Sequence, residues 1–456
     1  MPELAGQLSS FRSATHILND DGTICDVVPE PTAEELARPL VAPGSEALLP
    51  LGIVYQAGWE PLADGMARHA RAQVRALART GLPVSLKPLP IAKFVLEDEI
   101  DPRVIAEVGY LRGTSVGNVA LAIRQLVLHS GTFLENITAP PGARISGMDA
   151  ELQVYRSTIV YTSWERTTVH PGLVEVLNRC AEVWVPCHQN RDAFGRAGVS
   201  RVRVMPCPYD PITNLACHVA APWGSEDVPV GKRFYAIGKW EPRKNYHALV
   251  GAFLQEFSPT ERASLFVKTH EWGGWEGYPR VNECIEQWLA TPEVQAKGWT
   301  RQNCDQHVRL ITRRLSEEKL VQLHRDNNIY VTCSHGEAWD LPAFDARCAG
   351  NRLVFTGFGG AEDYAGREDV AIWEGDPVLE PVHPGYGWEA DGQWASCPVE
   401  KIRAALRAAQ PPKRRMHPPD LYERFGFPAV GARMEQRIKV LFPQAYEELK
   451  LVGGFG

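Results

Sequence analysis

Short apolar segments alternate with amphipathic segments along this chain, and that alternation limits its fold more than any other feature. In the first half, residues 51–55 and 84–89 are apolar runs of strand length, and residues 66–80 between them have helical spacing. The second half repeats the order, with strands predicted at 265–268 and 353–356 around further helices. Parallel strands need a long crossover connection, so the pattern predicts α/β domains with parallel sheets.

The length of 456 residues exceeds the size at which a single hydrophobic core stops growing, so two domains are expected. Residues 209–231 mix Pro, Gly, Ser and Asp with little periodicity, which is typical of a linker. We therefore predict a first Rossmann-like domain over 1–215 and a second over 216–435. A helical tail over 436–456 is expected to pack back on the first domain.

Composition limits the class of partner. Hydrophobic residues make up 44% of the chain and charged residues 23%, and the net charge of −7 argues against a general polyanion-binding surface. The ten cysteines show no Cys-x-x-Cys spacing, so we expect reduced, mostly buried thiols rather than a zinc or redox site. The chain starts with no basic and apolar leader, and no stretch reaches the ~18 apolar residues that span a bilayer. We expect no membrane span and a cytoplasmic location.

Two acidic residues, Glu337 and Asp345, lie eight positions apart directly after the apolar run 329–333. The first falls in a polar loop. The second falls in a helix predicted to begin near Leu341, because a proline follows there and Asp340 is a good N-cap. A strand, a loop with one carboxylate and a helix with another can place two acceptors around a ligand rich in hydroxyl groups.

A cationic loop precedes the acidic pair. Lys239, Arg243 and Lys244 follow an apolar strand at 234–237 and precede an amphipathic helix. Such a loop lies at the carboxyl end of its strand, where open α/β sheets bind ligands. Two lysines and a helix N-terminus can neutralise a diphosphate. The chain has no Asp-x-Asp triplet after an apolar strand, so no metal is expected.

Together these two segments resemble the retaining glycosyltransferases of the GT-B fold known as family 4, or glycosyl transferases group 1. That family carries Gly-Arg, a spacer and Lys-Gly or Lys-Asn in the cationic loop, and Glu, seven residues, Glu in the acidic signature. Residues 181–210 also match it in the order strand, helix, Gly-Val turn and strand ending in Pro. The resemblance touches most of residues 50–370 and implies an α/β, GT-B architecture, with two Rossmann-like doubly wound domains facing a central cleft.

The resemblance also implies roles for individual residues. Glu337 would hold hydroxyls of the donor sugar and Asp345 the ribose of the nucleotide. Lys239 and Lys244 would neutralise the donor diphosphate, with Arg243 supplying a forked contact. The other donor-binding positions that it implies are Ala338, Trp339, Asp340, Leu341, Gly58, Gly359 and Gly360.

Glu165 completes the predicted catalytic set with Glu337 and Lys244. It follows a predicted strand at 157–162, where related transferases place cleft residues, and it is a candidate contact to the acceptor or the donor sugar. His129, which follows another apolar run, is an alternative cleft residue.

Three positions depart from the family pattern. Asp345 is one methylene shorter than Glu, so a ribose contact needs a closer helix or a bridging water. Lys239 replaces Arg and loses its fork geometry. Asp340 occupies a position that is usually Gly in the family, and its charge either repels the phosphates or caps the helix and turns away.

The implied reaction moves a sugar from a nucleotide-diphosphate donor to an acceptor with retention at the anomeric carbon, without a metal or other cofactor. The sugar and the base stay open. So does the acceptor, which can be a glycan, a lipid-linked sugar, a protein, a small molecule or a modified nucleobase. A sugar-nucleotide epimerase, a phosphorylase and a non-catalytic binding module of the same fold are the alternative interpretations.

Two aromatic segments lie outside the resemblance. They are interpreted either as a platform that stacks on an acceptor or as decorations packed onto the domain surface. Their aromatic residues are Trp272, Trp275 and Tyr278 in the first segment and Tyr386, Trp388 and Trp394 in the second. Near the end, residues 421–442 carry a helical pattern that in GT-B proteins would cross back to the first domain. Gly426, Pro428 and Gly431 are expected to break it.

Overall fold

Two six-stranded sheets, each entirely parallel, organise the computed structural model of this chain. This confirms the prediction from alternating strands and helices. The structure describes residues 17–18, 24–25, 48–57, 65–88, 100–126, 158–210, 212–214, 231–271, 275–313, 315–386, 392–413 and 418–453.

The first sheet has the strand order β4-β3-β5-β6-β7-β8. Its strands, after the short antiparallel pair β1 (Ile17–Leu18) and β2 (Ile24–Cys25), are β3 (Leu48–Ala57), β4 (Val84–Pro88), β5 (Ser115–Leu126), β6 (Thr158–Thr162), β7 (Glu182–Val185) and β8 (Val202–Val204). The helices of this part of the chain are α1 (Gly65–Ala78), α2 (Pro102–Gly113), α3 (Pro171–Arg179) and α4 (His188–Arg196). Chain order runs outward from β3 and β5, which makes the gap between them a topological switch point.

The second sheet has the strand order β11-β10-β9-β12-β13-β14. Its strands are β9 (Lys232–Ile237), β10 (Ala263–Lys268), β11 (Val308–Ile311), β12 (Ile329–Thr332), β13 (Arg352–Phe355) and β14 (Val370–Ala371), and a separate antiparallel hairpin joins β15 (Leu379–Pro381) to β16 (Gln393–Ala395). The helices that follow are α5 (Tyr246–Glu256), α6 (Cys284–Leu289), α7 (Pro292–Ala296), α8 (Arg301–His307), α9 (Glu317–Asp326), α10 (Leu341–Cys348), α11 (Ala361–Tyr364), α12 (Val399–Ala408), α13 (Pro419–Phe425), α14 (Phe427–Leu441) and α15 (Pro443–Gly453).

Helices α14 and α15 return to the first sheet. Val430, Met434 and Ile438 of α14 belong to the same buried core as the strands of that sheet. Gly431 lies so close to α1 that an added Cβ would come within 2.6 Å of the carbonyl oxygen of Ala76. Glycine is therefore required here by the close approach of two backbones, although it weakens the helix itself. The domain limits at 215 and 435 stay a prediction.

The two connections between the sheets contact each other. Tyr209, on the way to the second sheet, donates its backbone N–H to the carbonyl oxygen of Phe425 at 2.6 Å. Tyr209 also forms an isolated β-bridge with Gly426, where the chain turns back toward the first sheet. The outgoing and returning segments therefore run side by side.

Candidate functional site

The cationic loop and the acidic loop meet at the centre of the second sheet. Strands β9 and β12 are hydrogen-bonded neighbours, and chain order runs away from them in opposite directions. Their carboxyl ends therefore form the topological switch point of this sheet. The loop after β9 carries Arg243 and Lys244, and the loop after β12 carries Glu337 and Asp340.

Lys244 reaches the site from a tight turn. Pro242–Lys244 forms one turn of 3-10 helix, and Asn245 then takes a left-handed φ of 57° before α5 begins. Asn adopts this conformation more readily than most residues, so it suits the junction. Lys244 is buried, whereas Lys239 is exposed. The role of Lys239 as a diphosphate ligand stays a prediction.

Glu337 contacts the buried Lys244 and the partly buried Arg243. Its Oε1 lies 2.5 Å from Lys244 Nζ and 2.9 Å from Arg243 Nη1. Burial alone would raise the pKa of Glu337, but Arg243 and Lys244 outweigh it and hold that pKa at about 2. Burial alone would lower the pKa of Lys244, but the attraction of Glu337 outweighs it and the pKa is raised. Both partners are therefore charged at neutral pH.

Glu165 brings the first domain to the same cluster. It follows β6, and its Oε2 lies 3.1 Å from Arg243 Nε, while Arg243 Nη2 donates to Glu241 Oε1 at 2.7 Å. Burial, opposed by the charge of Arg243, raises the pKa of the Glu165 carboxyl. Gly336 packs against this residue so tightly that an added Cβ would overlap the carbonyl oxygen of Glu165. The two domains therefore touch at the candidate site.

Asp340 caps helix α10. Its backbone has a left-handed φ of 62°, and its side chain accepts a hydrogen bond from the backbone N–H of Ala343 at 3.4 Å. The prediction that the helix begins at Leu341 behind this cap is confirmed. Burial, opposed by the nearby Lys244, raises the pKa of the Asp340 carboxyl from 3.8 to about 6.

Replacing Asp340 with asparagine is expected to stabilise the protein at neutral pH. Between about pH 4 and pH 6 the folded chain keeps a proton on Asp340 that the unfolded chain releases, so the free energy of unfolding falls as pH rises. Asparagine keeps the cap and tolerates the left-handed backbone without a charge. We expect a gain on the order of 2 kcal/mol at pH 7 and none near pH 4, measured by urea unfolding. The exposed Asp376→Asn is the control, and an unchanged pH dependence in Asp340→Asn would contradict the assignment.

Asp345 is buried on α10 and is bound by residues of the first half of the chain. Arg68 of α1 donates Nη1 to Asp345 Oδ2 at 2.5 Å and Nη2 to Oδ1 at 2.7 Å. Asn214 donates its side-chain amide to Oδ1 at 2.6 Å. These contacts join Asp345 to the facing domain, and its role as a ribose ligand stays a prediction.

Ala338 and Trp339 are buried between the two acidic residues. The ring of Trp339 packs against those of Phe344, Tyr364 and Phe425, with centroids 5.4, 5.0 and 5.3 Å away. The Trp339 side chain therefore belongs to the core of the second domain, and a ligand contact at this position would have to use the backbone.

Gly359 and Gly360 support the loop that carries Glu337. Gly360 donates its N–H to the carbonyl oxygen of Glu337 at 2.9 Å. Gly359 has a φ of 116°, and an added Cβ would overlap the same carbonyl oxygen. Leu341 is partly exposed and faces Gly65 at the start of α1, since a Cβ there would lie 3.6 Å from its Cδ1.

Gly359→Ala is expected to displace the Glu337 loop and to destabilise the protein. The added methyl group combines backbone strain at positive φ with a clash, and overpacking of this kind costs about 1–3 kcal/mol. Gly375→Ala is a matched control, because Gly375 has a φ of 91° but no atom within 4 Å of an added Cβ. Urea unfolding of both variants separates the clash from the strain. Equal losses of stability would show that Gly359 does not support the loop.

The second aromatic segment packs on this side of the second domain through its hairpin. Trp394 of β16 stacks on His335 with ring centroids 4.9 Å apart and an angle of 15°. Gln393 accepts a hydrogen bond at its carbonyl oxygen from the backbone N–H of Thr167 in the first half of the chain, at 2.9 Å. The hairpin therefore adds a second contact between the domains beside Glu165.

Some sequence candidates lie outside the described residues: Gly58, His129, Trp272 and Trp388. Conversely, Arg68 is not among the residues predicted from the sequence. A signal for it is present, because Arg68, Arg71 and Arg75 are spaced three or four positions apart and so lie on one face of α1.

Among the residues that the structure describes, no group of three or more His, Cys, Asp or Glu side chains could hold a metal ion. In the same residues, no helix combines the length and apolar character needed to cross a bilayer. The cysteines whose side chains are described are free and buried, at positions 180, 187, 207, 284, 304, 333, 348 and 397.

No protein-family model and no curated protein matches this sequence. Among solved structures, the chain resembles sucrose-phosphate synthase from Thermosynechococcus elongatus with a TM-score of 0.50 and 16% identity, over 86% of this chain and 99% of that one. Anabaena HepE, solved in complex with UDP, gives 0.46 and 13% over 88% and 99%. AviGT4, a glycosyltransferase involved in avilamycin A biosynthesis, gives 0.43 and 16% over 86% and 98%. The first likeness shows the fold, and the predicted GT-B architecture is confirmed.

Proposed function

We propose that this protein is a retaining glycosyltransferase that takes a sugar from a nucleotide-diphosphate donor without a metal ion. The observation that carries the proposal is the convergence of Arg243, Lys244 and Glu337 on the switch point of the second sheet. Open α/β sheets bind nucleotides at such points. Two cations that share one carboxylate, Glu337, also supply the charges that a diphosphate and a sugar need.

In this proposal, the donor diphosphate binds Arg243 and Lys244 and replaces Glu337 as their partner. Arg243 offers a forked guanidinium and Lys244 a compact ammonium, and both stabilise the negative charge that develops on the leaving diphosphate. Glu337 is then free to accept hydrogen bonds from hydroxyls of the sugar. The leaving phosphate accepts the proton of the acceptor on the same face of the sugar, so the reaction needs no protein nucleophile.

Glu165 defines the acceptor side of the site in this proposal. It is the acidic group that the first domain contributes to the cluster through Arg243, at 3.1 Å. Once the diphosphate has bound Arg243, the Glu165 carboxylate is available for a hydroxyl of the acceptor or of the donor sugar.

A panel of UDP-, GDP- and ADP-sugars, each with and without EDTA, tests the proposal by thermal shift. A ligand that binds the native state raises its apparent stability, so at least one donor is expected to raise the melting temperature with or without EDTA. Product analysis with that donor follows. An epimerase turns over without an acceptor, a phosphorylase requires orthophosphate, and a binding module turns over nothing. No stabilisation by any donor would refute the proposed function.

A further inference from the structure

A continuous series of ion pairs and hydrogen bonds links the first domain to helix α10. Glu107 pairs with Arg75 at 2.5 Å, and Arg75 pairs with Asp210 at 2.5 Å. The backbone N–H of Asp210 donates to the side-chain oxygen of Asn214 at 2.8 Å, and the amide of Asn214 donates to Asp345 at 2.6 Å. The carboxylate of Asp345 is the end of this series in the second domain.

Arg68, also in the first domain, binds the Asp345 carboxylate as well. Its guanidinium is bidentate on Asp345, with N–O distances of 2.5 and 2.7 Å, and its Nη2 also reaches Thr213 Oγ1 at 3.4 Å. Both oxygens of Asp345 are therefore engaged, and Asp345 is only 5% exposed. Bidentate pairs of this kind are among the strongest hydrogen-bonded contacts in proteins.

We propose that Asp345 ties the two domains together through Arg68 and Asn214 and that it does not bind the ribose of the donor. A ribose hydroxyl would have to displace Arg68 and leave a partly buried guanidinium without this carboxylate, which is unfavourable. The short side chain of Asp fits this role, because Arg68 reaches it from the facing helix. The statement about ribose rests on the proposed function. The contact of Asp345 with Arg68 and Asn214, called the tie below, does not. Asp345 accordingly acts as a positioning residue that holds helix α10 against α1.

Isothermal titration of the wild-type protein tests the ribose statement. The nucleoside diphosphate that binds best among UDP, GDP and ADP is compared with its 2′-deoxy and 3′-deoxy analogues, and the expected affinities lie within about twofold because no charged hydrogen bond is lost. A loss of about tenfold or more that disappears in Asp345→Asn would overturn the proposal. If the same loss of affinity is also seen in Asp345→Asn, the ribose contact belongs to another group, which supports the proposal.

Small-angle scattering of the full chain without ligand tests the tie. Arg68→Ala is expected to increase the radius of gyration, Arg68→Lys to increase it less, and the exchange of charges in Arg68→Asp with Asp345→Arg to restore it. Arg103→Ala is the control, because Arg103 is exposed and pairs with the neighbouring Asp101. Unchanged scattering in both single variants at Arg68 would overturn the tie. If no nucleoside diphosphate binds, the proposed function fails and the scattering alone decides the tie.

Discussion

Lys244→Ala is expected to slow sugar transfer by about 10²–10³-fold, the usual effect of removing one donor to developing negative charge. Lys244 is buried, and its ammonium lies 2.5 Å from Glu337 with a raised pKa, so it carries its charge into the site at any pH near neutrality. Its loss should also weaken the binding of nucleoside diphosphates. Initial rates with the preferred donor and titration of the free diphosphate measure the two effects.

A control is needed for the loss of a positive charge as such. Lys319→Ala removes an exposed lysine of the same domain and should leave both the rate and the affinity unchanged. Circular dichroism of Lys244→Ala checks that the fold persists. Unaltered affinity for the diphosphate in a folded Lys244→Ala protein would remove Lys244 from the site.

Glu337→Gln is expected to slow sugar transfer by a factor similar to that for Lys244→Ala. Unlike Lys244→Ala, it is expected to increase the stabilisation that a nucleoside diphosphate gives. Without its carboxylate, Arg243 and Lys244 lose a shared counterion, and breaking a buried pair in this way costs about 3–5 kcal/mol. A bound diphosphate replaces the missing negative charge. The melting temperature of Glu337→Gln should therefore be lower than that of the wild type without ligand and should rise further when a nucleoside diphosphate is added.

Glu318→Gln is the matched control for this effect, since Glu318 is exposed on α9. It should melt as the wild type does, with and without ligand. If nucleoside diphosphate stabilises Glu337→Gln no more than it stabilises the wild type, the diphosphate does not bind where Glu337 holds the two cations.

Most of the fold could be predicted from local patterns because each strand and helix buries one face, and that face is visible as periodicity. The return of the chain shows where this fails. Gly426, Pro428 and Gly431 all predict a broken helix, yet only Gly426 marks a break, between α13 and α14. Pro428 lies in the first turn of α14, where proline is tolerated. Gly431 is kept inside the helix by the close approach of α1, which a local pattern does not contain.

The sequence indicates which residues of the cationic loop and of the acidic loop belong to the candidate site, but it does not indicate which of them contact each other. The family resemblance implies a diphosphate role for Lys244 and a sugar role for Glu337, and in the structure the two side chains contact each other directly. These partners come from neighbouring strands of one sheet that are far apart in sequence, so their contact depends on strand order. The same reason hides the pairing of Arg68 with Asp345, because it depends on how the two domains face each other.

The bond between Tyr209 and Phe425 has a mechanical consequence. The chain crosses between the domains twice, and the two crossings lie side by side. Such a pair permits hinge rotation about the line along which they lie and resists shear and twist of one domain against the other. The domains should then move like the covers of a book on its spine. Parts of the cleft far from this hinge axis would move the greatest distance. The size of the acceptor that fits would therefore depend on the outer rim of the cleft more than on the part beside the links.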